Sequence, residues 1–152
     1  PYIVARMTEL LFEAGPCKRI LEIGTGSGYQ TIVLGRMPGV EMMFSVERIQ
    51  ALQEQARERI RALNVPRIAL KLADGNLGWP EKAPFDGIIA TAAPREVPAE
   101  LIEQLAEGGR LVIPVGEQQQ HLVLVTKTVD GIRREVIEPV RFVPLLSGLV
   151  RK

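Results

Sequence analysis

Cysteine occurs once in this chain, at Cys17, and histidine once, at His121. A single thiol can form no internal disulfide. A lone imidazole with no cysteine cluster argues against a zinc site, and no metal is expected. Cys17 therefore reads as a small buried residue and not as a catalytic thiol. Net charge is also scarce: 19 Lys and Arg stand against 18 Asp and Glu, leaving +1. That balance points to neither nucleic acid nor a membrane surface. No run of 18 or more apolar residues occurs, so no membrane-spanning helix is expected. No secretory leader pattern is visible. These absences suit the cytoplasm, and a monomer is expected.

What is present is a globular composition. Of the 152 residues, 46% are apolar and 24% charged, enough to bury a core without staples. Residues 1–152 read as one domain, with no internal repeat or linker. Apolar spacing predicts helices over Ile3–Phe12, Tyr29–Arg36, Arg48–Leu63 and Pro98–Leu105, the last ended by Gly108-Gly109. Short apolar runs predict strands at Arg19–Ile23, Glu41–Val46, Ile68–Leu72, Phe85–Ala90 and Arg110–Val115. Leu122–Thr128 and Arg133–Val143 read as a hairpin around Asp130-Gly131. Strands alternating with helices imply an α/β fold, a doubly wound and mostly parallel sheet with an antiparallel C-terminal hairpin.

The chemistry concentrates at strand ends. Leu21-Glu22-Ile23-Gly24-Thr25-Gly26-Ser27-Gly28 follows the first strand and opens a helix. In an open α/β sheet, ligands sit beyond the carboxyl ends of the strands, where strand order reverses. The spacing is G-x-G-x-G, whereas the dinucleotide fingerprint is G-x-G-x-x-G. An acidic Glu22 before the turn would repel a pyrophosphate and suits a ligand bearing an ammonium and a sulfonium. Glu47, ending the second strand beside Arg48, can accept from both hydroxyls of a ribose. Asp74-Gly75, after the third strand, can accept from an adenine amino group and let the ring approach. Any one of these carboxylates alone reads as a turn or capping residue; three at successive strand ends describe one crevice. Trp79 and Phe85 read as core more than as adenine partners.

These residues resemble those of class I methyltransferases. The stretches PYIVARM (1–7), LEIGTGSGYQ (21–30), VER (46–48), PFDGIIATAAP (84–94), GGRLVIPVG (108–116) and RFVPLL (141–146) further resemble the protein-L-isoaspartate O-methyltransferase family, nearly end to end. The resemblance implies a Rossmann-like, seven-stranded sheet. It implies S-adenosyl-L-methionine as cofactor, S-adenosyl-L-homocysteine as product, and isoaspartyl-containing peptides and proteins as substrate. The methyl group would pass to the free α-carboxylate of an L-isoaspartyl residue, and the ester would close spontaneously to a succinimide. That carboxylate is ionised at neutral pH, so no general base is required.

On this reading Glu22, Gly24, Thr25, Gly26, Ser27, Gly28, Glu47, Arg48, Asp74 and Gly75 bind the cofactor, and Thr91, Ala92 and Ala93 lie near the substrate. Tyr2 and Ile3 either flank the cofactor pocket or pack a helix start. Residues 141–145 either brace the active face or form a plain edge strand. The resemblance also implies an N-terminal segment ahead of Pro1, carrying the family's active-site serine; neither Ser27 nor Ser45 matches it. The alternatives are a small-molecule methyltransferase on the same core, a cofactor-binding core inactive without that segment, and, less well fitted, a nicotinamide enzyme.

Overall fold

The computed structural model describes residues 2–151. Helix α1 (Tyr2–Phe12) leads into β1 (Arg19–Ile23), followed by α2 (Tyr29–Gly35), β2 (Met42–Glu47), α3 (Gln50–Ala62) and β3 (Ile68–Leu72). Short 3-10 turns at Gly75–Leu77 and Pro80–Lys82 precede β4 (Phe85–Ala90), α4 (Ala99–Glu103), β5 (Leu105–Gly116), β6 (Gln120–Thr128) and β7 (Gly131–Val140). The seven strands form one sheet in the order β3-β2-β1-β4-β5-β6-β7. Strands β1 to β5 pair in parallel, and β6 and β7 add antiparallel pairs.

Strand alternation sends side chains to two cores. Ile20, Met43, Ile89, Val112, Leu122 and Leu124 face Met7, Leu10 and Leu11 of α1 and Leu34 of α2. The 3- and 4-residue spacing of the α1 set places it on one stripe of that helix. Leu21, Ile23, Phe44, Val46, Ile88, Leu111 and Ile113 face Leu101 of α4 on the other side. Each such side chain contributes about 1.5–3 kcal/mol on burial. Trp79 joins the second core edge-to-face with Phe44, ring centroids 5.4 Å apart, as its reading as core anticipated. Cys17 is buried, its thiol pushed up to about 11, first by desolvation and then by the nearby Asp86 charge.

Most boundaries fall within one or two residues of the sequence reading, and two regions depart further. Helix α4 stops at Glu103 and β5 starts at Leu105, so Gly108-Gly109 does not end a helix. The pairing jumps from Phe85↔Leu105 to Gly87↔Arg110, and the glycines sit in that bulge. A Cβ on Gly109 would lie 2.8 Å from the Ala106 carbonyl oxygen. The strand predicted to run to Val143 ends at Val140. There Gln120 replaces the ladder, its side chain accepting from Phe142 N at 2.7 Å and donating to Phe142 O at 3.0 Å. Residues 143–150 then cross the carboxyl ends of the strands, bonding to Ala93 after β4, Asp74 after β3 and Arg48 after β2.

Strand order reverses between β1 and β4, because the chain runs outward through β2 and β3 before returning to β4. The carboxyl ends of those two strands open the crevice in which ligands of such sheets bind.

Candidate functional site

Past β1 the chain turns through Gly24, Gly26 and Gly28 at φ of 96°, 55° and 83°, a left-handed region that disfavours a Cβ. Neighbouring strands hold the turn. Gly24 N donates to Val46 O at 2.8 Å, Thr91 N to Ile23 O at 3.1 Å, and Thr91 Oγ1 to Gly24 O at 3.1 Å. The three glycines differ in what they clear. A Cβ on Gly24 would stand 2.7 Å from Thr91 Oγ1 and one on Gly28 3.0 Å from Ala56 Cβ, whereas one on Gly26 would meet nothing within 4 Å. Gly26 is the open floor of the cleft.

That cleft holds about 220 Å³. Gly24, Gly26, Glu47, Arg48, Gly75, Thr91 and Ala92 all line it, so the structure brings together seven of the residues picked from the sequence. Glu47 is 6% exposed. Its Oε1 accepts from Gly26 N at 2.8 Å, and its Oε2 accepts from Arg48 N and Ile49 N, each at 3.0 Å. The carboxylate therefore fixes the turn as well as facing the cleft, with acceptor capacity left over. A Cβ on Gly75 would clash with Ile23 Cγ2; glycine there lets the loop close onto β1.

Six of the chosen residues lie elsewhere or do other work. Glu22 is wholly buried and does not line the cleft. Successive side chains of a strand alternate faces, and Glu22 points to the α2 side. Its Oε1 accepts from Ser45 Oγ at 2.6 Å and from Thr31 Oγ1. Direct contact with a cationic ligand, the sequence-based expectation, is not what this placement offers. Thr25 is buried too, its Oγ1 2.6 Å from Ser45 Oγ. Ser27 faces away, its carbonyl taken by Arg59 and its hydroxyl near Tyr29 N at 3.4 Å. Gly28 packs on α3.

Asp74 is absent from the cleft lining. Its Oδ1 accepts from Asn76 N at 2.9 Å and its Oδ2 from Gly148 N at 3.0 Å. Burial pushes its carboxyl up, but hydrogen bonds from Gly148 and Asn76 and the Arg48 charge outweigh that and hold it below its ordinary value. Ala93, 3% exposed, lines an adjoining cavity of about 520 Å³ with Arg95, Gly116, Gln120, Arg141 and Phe142.

The sequence reading missed the cleft's apolar far wall, Ile49, Leu52 and Val143 to Leu146. Ile49 and Leu52 carried only a helix-face signal, and of the far segment residues 143–145 carried only the alternative of a bracing role. Tyr2 donates to Glu138 at 3.1 Å and Ile3 packs against the first core, which favours helix-start packing over a pocket role. Among the described residues, no group of three His, Cys, Asp or Glu is placed to hold a metal ion, and no helix is long and apolar enough to cross a membrane.

Apolar walls, an open glycine floor and a carboxylate at the end of β2 suit a nucleoside without phosphates. Together with the switch-point sheet, they define the class I S-adenosylmethionine-dependent methyltransferase core. Comparison narrows this. Residues 1–150 match the family described as Protein-L-isoaspartate(D-aspartate) O-methyltransferase (PCMT). Protein-L-isoaspartate O-methyltransferase 1 of Marinobacter nauticus is 58% identical over 151 residues, covering 99% of this chain and 68% of its own length. The enzyme of Pseudomonas paraeruginosa is 57% identical over 149 residues, 97% of this chain and 70% of its own length. A solved protein-L-isoaspartate O-methyltransferase superposes with a TM-score of 0.88 at 29% identity, over 99% of this chain and 48% of that one. A Plasmodium falciparum structure described as a putative member, in complex with S-adenosyl-L-homocysteine, gives 0.77 at 26% identity, over 96% and 74%. The chain belongs to the protein-L-isoaspartate O-methyltransferase family.

Proposed function

We propose that this chain forms the donor-binding core of an enzyme that methylates the free α-carboxylate of L-isoaspartyl residues in damaged proteins. The observation that carries the reading is Gly26, which lines the cleft and where a Cβ would meet no atom within 4 Å, beside a carboxylate fixed by three backbone N–H groups. The chemistry supplied by S-adenosylmethionine is an electrophilic methyl group on a sulfonium. Glu47 would hold the ribose hydroxyls, Gly75 and Arg48 would border the nucleoside, and Ile49, Leu52 and Leu145 would exclude water from it.

Thr91 and Ala92 close the cleft on the β4 side. Their small side chains leave room for a peptide main chain, and the adjoining cavity at Ala93 would take the residues flanking the isoaspartate. The acceptor carboxylate is already ionised at neutral pH, so alignment is the site's main task. Good orientation is worth effective molarities on the order of 10⁵–10⁸ M. We place the protein in the cytoplasm and expect it to act as a monomer.

The whole protein, mixed with radiolabelled S-adenosylmethionine, should label an isoaspartyl peptide and leave its aspartyl twin unlabelled. Equal labelling of the two, or of neither, defeats the reading. A metabolite methylated with no preference for isoaspartyl peptide would favour a small-molecule methyltransferase instead.

A further inference from the structure

Glu22 is wholly buried, yet one of its oxygens, Oε2, has no hydrogen-bond partner among the described residues. The other ends a directed chain of hydroxyls. Ser45 spends its only proton on Glu22 Oε1 at 2.6 Å, so the 2.6 Å contact between Ser45 and Thr25 requires Thr25 to donate. Thr31 of α2 donates to the same Oε1. A hydroxyl has one proton to give, so the acid at the base sets the direction of the whole relay. The relay ends at Thr25, between Gly24 and Gly26, both of which line the cleft. The carboxyl is thus two hydroxyls away from the turn that lines the donor site and does not itself line it.

We propose that Glu22 tells donor from spent product: from beneath the glycine turn its buried negative charge favours the cationic sulfonium of S-adenosylmethionine over the neutral thioether of S-adenosylhomocysteine, while its hydroxyl relay holds Thr25 in place. It is a specificity and positioning residue, not a catalytic one. The inference rests on the reading of the cleft as the donor site.

The groups around Glu22 leave its charge unneutralised. Ser45 of β2, Thr31 of α2 and Thr25 of the turn offer hydroxyls, and Ile89 beside it in β4 is apolar. Glu47 at the end of β2 adds a second negative field. Desolvation and, to a smaller degree, that like charge push the Glu22 carboxyl up to about 7, against the lowering pull of Ser45 and Thr31. The repulsion between the two carboxylates is offset when a cation arrives above the turn. By linkage, a ligand that favours the ionised form must release a proton on binding, and its affinity must rise with pH.

The test is titration calorimetry of the whole protein with S-adenosylmethionine and with S-adenosylhomocysteine from pH 6 to 8. The preference for the donor should rise by about three- to tenfold across that range, since one pKa unit corresponds to tenfold. In Glu22→Gln it should stay flat. A flat ratio in the unmodified protein, or an unchanged slope in the variant, overturns the proposal. A second measurement needs no variant and so survives a misfolded one. In two buffers of different ionisation enthalpy near pH 7, the donor should release more protons than the product does, and equal release overturns the proposal. Failure of both ligands to bind would instead sink the donor-site reading itself.

Discussion

The turn that forms one wall of the cleft and the segment that forms the other are held in different ways. At the turn, Gly24 is wedged against Thr91 and Gly28 against α3, and Thr25 is only 4% exposed. In the facing segment, Val143 is 68% exposed and Leu146 51%. That segment hangs on a few points. Ala93 N donates to Val143 O at 2.8 Å and Leu145 N to Ala93 O at 2.9 Å. Val150 N donates to Arg48 O at 2.8 Å, and Gly148 N donates to Asp74. Packed walls resist displacement collectively, whereas a single hydrogen bond contributes only about 0.5–1.5 kcal/mol net. A cleft with one close-packed and one pinned wall opens on the pinned side, which is where local unfolding is cheapest.

The sharpest way to break this contrast is Gly24→Ala. The residue combines φ of 96° with a Cβ position 2.7 Å from Thr91 Oγ1. Backbone strain and overpacking together should cost about 2–5 kcal/mol. Thermal denaturation should show the stability loss, and calorimetry the loss of S-adenosylhomocysteine affinity. A variant as stable and as competent as the parent would mean that the turn gives way as easily as the opposite wall.

The same contrast explains what the sequence disclosed. The turn was legible because left-handed φ demands glycine at fixed spacing, and because β1, β3 and β4 are short apolar runs with clear punctuation. Their bounds, Arg19–Ile23, Ile68–Leu72 and Phe85–Ala90, are those of the structure. The pinned wall was only half legible: residues 141–145 allowed either a brace at the active face or a plain edge strand, since Val143 to Leu146 are ordinary apolar side chains that any edge strand would also carry. Glu22 and Asp74 show a different limit. Their presence at strand ends was readable, but which face a carboxylate takes depends on partners distant in sequence. Ser45 draws Glu22 under the turn and Gly148 draws Asp74 to the far segment. The bulge at Gly108-Gly109 was hidden for a similar reason, because a strand's register is set by its neighbour.

Glu47→Ala should have the next largest effect, and it separates ligand holding from wall stability. Three backbone N–H groups would lose a charged acceptor, and hydrogen bonds to charged groups are worth about 1.5–3 kcal/mol. S-adenosylhomocysteine should bind roughly 10- to 100-fold more weakly by calorimetry. Unchanged affinity would remove Glu47 from the site and leave it a turn-fixing residue alone.

The smallest effect should come from the pinned wall, through Asp74→Asn. The amide oxygen can still accept from Asn76, but an NH2 group cannot accept from Gly148 N; because that bond is open to solvent, only about 0.5–1.5 kcal/mol should be lost there, less than for a buried charged acceptor. Hydrogen exchange should quicken at Gly148 and Val150 while the amides of Gly24 and Gly26 keep their protection. The pH dependence has a fixed sign. Asp74 is held below its ordinary 3.8, so its hold on Gly148 is in full force above that value and fades as pH falls through the lower folded one. The pinned wall should therefore loosen only in strong acid in the parent, and in Asp74→Asn it should be loose at every pH. Equal exchange rates on the two walls, before or after the substitution, would mean that they share one stability and that the far segment is no weaker than the turn.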